Sequence, residues 1–221
     1  MQTITFSFQL DSPLTGSATH LRGFIAAKFP EYELLHQHDN DKGGLKYIYP
    51  KIQYKVIDGM PYLVGIDEGV NIVKTVAEGI ENVRLAGKDY RIIKKCIVDK
   101  SSTLGITNKC YPYSFLTPWL ALNEKNYEKY QKLGGWHKRK ELLEKILIGN
   151  IISMSKSLGY TVPEPIKADI QKLTEVQTKL KATPMLGFFG TFSVNFEIPD
   201  YWGIGKSVSR GFGTVKRCSL S

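Results

Sequence analysis

Two imidazoles stand one residue apart, at His36 and His38, in a polar stretch running from Leu35 to Gly44. In extended chain, residues two apart face the same way, so both rings can meet one phosphodiester. Free imidazole titrates at about pH 6.5, so near neutrality one ring can accept a proton while the other donates one. RNA cleavage uses that division of labour. A base removes the ribose 2′-OH proton, and an acid protonates the 5′-oxygen leaving group. The attacking oxygen belongs to the substrate, so neither a metal nor a protein nucleophile is required. Two other readings stay open. His36 and His38 with Asp39 and Asp41 are also a possible ligand set for a metal, although a zinc site usually takes three or four fixed ligands. They can equally be solvated loop residues. His20 lies in the first turns of a helical stretch and reads as structural. His137, beside Lys138 and Arg139, reads as a surface residue at a helix start or as an RNA contact.

Tyr47 and Tyr49 follow the histidines and alternate on one face of a strand. A phenol there can orient an imidazole or stack on a base, and ordinary packing on a sheet explains them equally well. Lys42, Lys46, Lys51 and Lys55 add positive charge to the same segment. They can steady a phosphate or offset transition-state charge; for Lys55 a solvated strand face serves as well.

A second chemistry-bearing stretch runs from Gly203 to Gly213, reading Gly-Ile-Gly-Lys-Ser-Val-Ser-Arg-Gly-Phe-Gly. Lys206, Arg210 and the hydroxyls of Ser207 and Ser209 are donors for phosphate oxygens. Gly203, Gly205, Gly211 and Gly213 permit positive φ and close backbone approach. The stretch is not a P-loop, because Asp200 stands where the first glycine belongs. It is not a dinucleotide fingerprint either, because Val208 occupies the third glycine position. The plain alternative is a hairpin whose glycines only solve turn geometry.

The chain that must hold these groups has 221 residues, enough for one large domain or two small ones. Its 42% hydrophobic and 23% charged residues suit a globular protein that builds its core without staples. Cys96, Cys110 and Cys218 are odd in number and widely spaced, which gives neither a disulfide framework nor a C-x-x-C zinc site. With no signal peptide and no long apolar run, the expected compartment is the cytoplasm. Net charge is +9 and uneven. Residues 1–110 carry 14 Lys/Arg against 12 Asp/Glu, and residues 111–221 carry 16 against 9. A basic half points to a nucleic acid or an anionic surface; a generally basic globular protein is the alternative.

Period-two alternation of Ile4, Phe6, Phe8 and Leu10 predicts a half-buried strand ended by Asp11-Ser12-Pro13. A helix is expected from about Ser17 to Phe29, with Ser17 as N-cap and Pro30 as its stop. Strands over Tyr47–Ile57 and Met60–Ile66, joined by Asp58-Gly59, form a hairpin. A helix over Glu68–Ile80 and a strand over Asp89–Val98 complete a β-α-β-β-α-β order, the ferredoxin-like or RRM-like unit. Ser101–Lys109 reads as a linker. Beyond it come a strand near Tyr111–Leu116, a helix opened by Thr117-Pro118, and a longer helix over Lys138–Leu158. The stripe of Leu143, Leu147, Ile151, Met154 and Leu158 on that helix reads as core, with Gly159 as C-cap. Strands over Ile166–Lys181, Met185–Ile198 and Thr214–Cys218 follow. The expected class is α+β, with two tandem domains at 1–100 and 110–221, the second a decorated version of the first.

Several motifs resemble one known family. Leu21-Arg22-Gly23-Phe24, the run from Phe29 to Asp39, and Tyr49-Pro50-Lys51-Ile52-Gln53-Tyr54-Lys55 look like the N-terminal domain of CRISPR-associated endoribonucleases that process repeat RNA. The likeness is to the b branch of the sixth Cas family, within the RAMP superfamily. Phe115 to Asn123, Ile148-Gly149-Asn150-Ile151-Ile152-Ser153 and the glycine stretch agree with the second half of that family. The resemblance implies two tandem ferredoxin-like domains. It implies metal-independent cleavage of CRISPR precursor RNA within repeats, leaving 2′,3′-cyclic phosphate and 5′-OH ends. It places the active-site histidines at His36 and His38, an assisting tyrosine at Tyr47 or Tyr49, and RNA binding on Gly203–Gly213; Lys51, read from its own basic segment, is a further expected RNA contact. It does not say which histidine is the base. It admits a homodimer and a Cas effector complex as partners beside the repeat RNA. The competing readings are a non-catalytic module that binds the repeat and, more remotely, a DNA-binding repair factor.

Overall fold

The computed structural model describes residues 1–36 and 48–218, which form two compact units. The first comprises Met1–Ser102 together with Val208–Gly211. The second comprises Thr103–Ser207 and the chain from Phe212 onward. His38, Lys42, Lys46 and Tyr47 lie outside the described residues.

In the first unit the alternating run near the N-terminus is β1 (Gln2–Leu10), and the helix capped by Ser17 is α1 (Ala18–Lys28). His20 serves that cap: its Nδ1 lies 3.2 Å from the Ser17 amide and 3.0 Å from the Ser17 hydroxyl. A single short turn, α2 (Glu33–His36), follows. The hairpin at Asp58-Gly59 joins β2 (Ile52–Ile57) to β3 (Met60–Ile66), and both turn residues take positive φ. Next come α3 (Gly69–Gly79), β4 (Asn82–Leu85) and β5 (Lys88–Ser101). The sheet order β2-β3-β1-β5-β4 is the ferredoxin-like order with one added edge strand. That strand, β4, turns at Ala86-Gly87 and pairs with the start of β5. Its four residues are too few to show a period. β2 begins at Ile52, later than expected, because Pro50 has no N–H for the ladder. One face of the sheet, bearing Ile4, Phe6, Phe8, Tyr54 and Leu63, packs on Leu21 and Ile25 of α1 and Val73, Val76 and Ala77 of α3.

The second unit repeats the plan. β6 (Gly105–Phe115) leads to α4 (Glu124–Lys132) and α5 (Trp136–Ser157), then β7 (Ala168–Leu180), β8 (Thr183–Glu197) and β9 (Val215–Arg217). The order β7-β8-β6-β9 is again ferredoxin-like. Between β8 and β9, where that fold carries its second helix, the chain has the glycine stretch with one 3₁₀ turn at Val208–Arg210. Two expectations change here. The supposed linker is largely strand, since β5 reaches Ser101 and β6 starts at Gly105, pairing with Glu197. Ser101, Thr107, Asn108 and Lys109 occupy exposed or half-buried strand positions, where composition does not separate strand from loop. Thr117-Pro118 does not open a helix. Trp119 exchanges two backbone hydrogen bonds with Phe188, at 2.8 and 3.0 Å, and its ring stacks on Phe115. The helix waits for Asn123, whose side chain caps the Asn126 amide at 2.8 Å.

On the other face of β2, Lys55 is 0% exposed, not solvated as one reading of the strand had it. Its ammonium donates to Gln53 Oε1 at 3.0 Å, and Gln53 Nε2 donates to the Pro50 carbonyl at 3.3 Å. Burial disfavours the charged form and lowers the Lys55 pKa from 10.5 to about 7. A base whose folded pKa is depressed binds fewer protons folded than unfolded between those two values. Its contribution to stability is therefore complete above pH 10.5 and is lost as pH falls through 7. We expect the first unit to gain stability between about pH 7 and pH 10, read as the urea midpoint. Lys55→Met should flatten that slope; an unchanged slope would mean the ammonium is not enclosed.

Candidate active site and nucleic-acid interface

The described end of the histidine segment is α2, four residues that are too few to hold a helix by local hydrogen bonds. It is held from outside. Arg22 of α1 donates from Nη2 to the His36 carbonyl at 2.7 Å. Tyr54 of β2 donates from its hydroxyl to the Leu35 carbonyl at 3.2 Å, in a buried site. The Leu35 side chain is anchored in the core. Burial pushes the Tyr54 phenol well above its ordinary pKa, and Arg22 opposes that weakly, so the phenol keeps its proton and remains a donor. Two helix-end carbonyls that lack intrahelical partners are satisfied by side chains from two other elements. His36 is carried at the end of this clamp, half-buried, and its Nε2 is enclosed without a hydrogen-bond partner among the described residues. The clamp fixes the His36 backbone, and the enclosed Nε2 must be uncovered before it can exchange a proton with a substrate.

Beyond the undescribed residues the chain re-enters at Ile48. Tyr49 is 1% exposed, so its ring sits within the fold. Lys51 is engaged by acids: its Nζ lies 3.2 Å from Asp67 Oδ2 and 3.5 Å from Glu68 Oε2. His137 lies far along the sequence at the start of α5, in a surface pair with Glu141 at 3.2 Å.

The glycine stretch is more closely built than a turn needs. Gly203 bridges Thr214, and the Ile204 amide donates to the Gly213 carbonyl at 2.9 Å. Gly213 has φ +63, and a Cβ there would collide with the Ile204 carbonyl. The Gly213 amide in turn donates to the Pro118 carbonyl at 2.9 Å. Gly205 lies against Trp119 and Asn150, whose side chains bond to each other at 3.1 Å. Lys206 is exposed at the apex, and Ser207 takes φ +59. The Val208–Gly211 part belongs with the first unit. Gly211, at φ +88, brings its backbone against Ala18 of α1 and the Tyr54 carbonyl of β2; a Cβ would stand 2.6 Å from Ala18. Ser209 and Arg210 are half-buried.

With this geometry in view, comparison with known proteins decides the family. The family described as Cas6b N-terminal domain matches residues 1–103, and the Cas6b C-terminal domain matches residues 105–218. The chain belongs to the Cas6b family. A crystal structure of Cas6b is 38% identical, covers 98% of this chain and 99% of its own, and superimposes with a TM-score of 0.87. Another, a CRISPR RNA processing endoribonuclease Cas6b, is 37% identical over 99% of this chain and 100% of its own, with a TM-score of 0.76. An uncharacterized protein of Methanocaldococcus jannaschii, MJ0978, is 47% identical over 138 residues, which is 62% of this chain and 93% of that one.

In the sequence Arg22, Tyr54 and Asn150 stand out only as parts of longer motifs. An arginine inside a helix and a tyrosine inside a strand carry no local sign that they meet two carbonyls on a third element. Two outcomes are expected. Arg22→Leu should accelerate amide hydrogen exchange at the end of α2 while leaving β1 and β3 protected; unchanged exchange there would show that the arginine holds nothing. Gly213→Val should cost roughly 1–3 kcal/mol or more in a urea melt of the protein, through backbone strain at positive φ and the collision with Ile204.

Proposed function

We propose that this Cas6b-family chain is an endoribonuclease that cuts CRISPR precursor RNA within its repeats, without a metal, to yield mature guide RNAs. The observation that carries the reading is the family match across both halves, with a solved relative of 37% identity described as a CRISPR RNA processing endoribonuclease. The clamped His36 is consistent with it. In the proposed reaction one imidazole of His36 and His38 takes the proton from the 2′-OH. The 2′-oxygen attacks the adjacent phosphorus, and the bond from phosphorus to the 5′-oxygen breaks. The other imidazole gives its proton to that oxygen. The products are a 2′,3′-cyclic phosphate and a 5′-OH, and the two histidines exchange protonation states. Each positioned transfer is worth about 10²–10⁴ in rate. Tyr47 or Tyr49 supports the histidines; the enclosed ring of Tyr49 suits a positioning role better than contact with RNA.

The RNA is gripped by Gly203–Gly213, with Lys206, Ser207, Ser209 and Arg210 on phosphates; the glycines serve this by letting the protein's own atoms pack against the loop at Gly205, Gly211 and Gly213. Lys51 joins them only by giving up Asp67 and Glu68. Replacing both His36 and His38 by Ala should abolish cleavage in EDTA and leave repeat binding intact. Cleavage by the wild type that stops in EDTA alone would instead favour a metal. A repeat with one 2′-deoxy sugar at the cut site should resist the wild type. Exchanging Lys206 and Arg210 for Ala should weaken binding and flatten its salt dependence, because fewer counterions are released; unaltered affinity would remove the loop from the interface.

A further inference from the structure

Leu133-Gly134-Gly135 joins α4 to α5, and beneath this joint lies a cleft of about 340 Å³ in the second unit. Tyr130 and Phe188 meet edge to face in its floor, with ring centroids 5.7 Å apart. Arg139 forms a wall and is held in place three times. Its guanidinium lies 4.6 Å over the Tyr130 ring, its Nε donates to the Leu133 carbonyl at 3.2 Å, and its Nη1 is 3.5 Å from Glu175. Glu175 also accepts from the Tyr130 hydroxyl at 2.6 Å. Burial, reinforced by that carboxylate, pushes the phenol up to about 12, so it stays a donor and the acid is engaged on both sides.

Trp136 lines the mouth of the cleft and is 46% exposed. Trp119 and Trp202 are each 0% exposed, in the core. A Cβ on Gly134 would meet no atom within 4 Å, so the rim beside Trp136 is open. The residues that follow, His137 and Lys138, are exposed, His137 at 86% of its side chain. They lie in the half of the chain with 16 Lys/Arg against 9 Asp/Glu. A half-exposed indole beside a concave aromatic floor, followed in the chain by the exposed Lys138, matches what an unstacked base of RNA requires; the Arg139 guanidinium is already met by Glu175 and the His137 ring by Glu141. A surface indole with no such surroundings is commonplace; here the ring lines a cavity in the basic half of the chain.

We propose that this cleft takes one unpaired nucleotide of the bound RNA, with its base on Trp136. The site uses none of the residues of the histidine segment or the glycine stretch, and it rests on the RNA reading above. The test uses the full chain with His36→Ala and His38→Ala to block cleavage, titrated with the repeat RNA. Tryptophan emission should be quenched, and the quench should vanish in Trp136→Leu, whose affinity should fall roughly tenfold for one lost stacking partner. Trp136→Phe keeps an aromatic face and should recover most of that affinity. A quench that persists in Trp136→Leu, or equal weakening by Leu and Phe, would overturn the site while leaving RNA binding in place. Absence of any repeat binding by the parent chain would instead overturn the RNA reading itself, and the cleft proposal with it.

Discussion

The carbonyl oxygens at the end of α2 are the constraint on which the candidate active site depends. A turn of four residues cannot nucleate itself in water, and its last carbonyls lack partners within the helix. Arg22 and Tyr54 supply those partners from α1 and β2, so the position of His36 is set by the packing of the first unit's core. The chemistry proposed for His36 is therefore inseparable from the fold that carries it. A proton-transfer group misplaced by about 1 Å can lose about 10²-fold in rate, so the hold of two side chains on the backbone that carries His36 matters to the site.

The glycine stretch meets a similar demand by other means. It occupies the place of the second helix in the second ferredoxin-like order, and it exchanges a helix's regular ladder for individual contacts between backbones. At Gly213 the Ile204 carbonyl, and at Gly211 the Ala18 methyl, occupy the space a side chain would need. What results is a loop with exposed Lys206 at its apex and a backbone pinned at Pro118, Leu120 and Thr214. A rigid backbone with a cation presented outward loses less on ordering when it meets a phosphate than a free loop does.

Charge in this protein does not distribute as composition alone suggests. Lys55 and Lys51 stand four residues apart in the same basic segment, yet one is enclosed against a glutamine and the other is matched by two acids. Arg139 is likewise committed to Glu175 and Tyr130. The outward cations that remain, Lys206 and Lys138 among them, are a subset of the total, so net charge overstates the number of groups ready for an anion.

Local order was legible from the residues in sequence. The alternation over Ile4, Phe6, Phe8 and Leu10, the Asp58-Gly59 turn and the stripe along α5 each arise from periods of two or 3.6 that burial of one face imposes on neighbouring positions. The histidine pair, the glycine stretch and the family's longer motifs were visible for the same reason, since each is contiguous. Only tertiary structure decided that Lys55 is enclosed, that Pro118 precedes a bridge and not a helix, that Asn82–Leu85 adds an edge strand, and that Arg22 and Tyr54 converge on α2. Each of these depends on partners distant along the chain. Residue order records the period of an element, whereas the burial and pairing of a single side chain are set by whatever the completed fold brings against it.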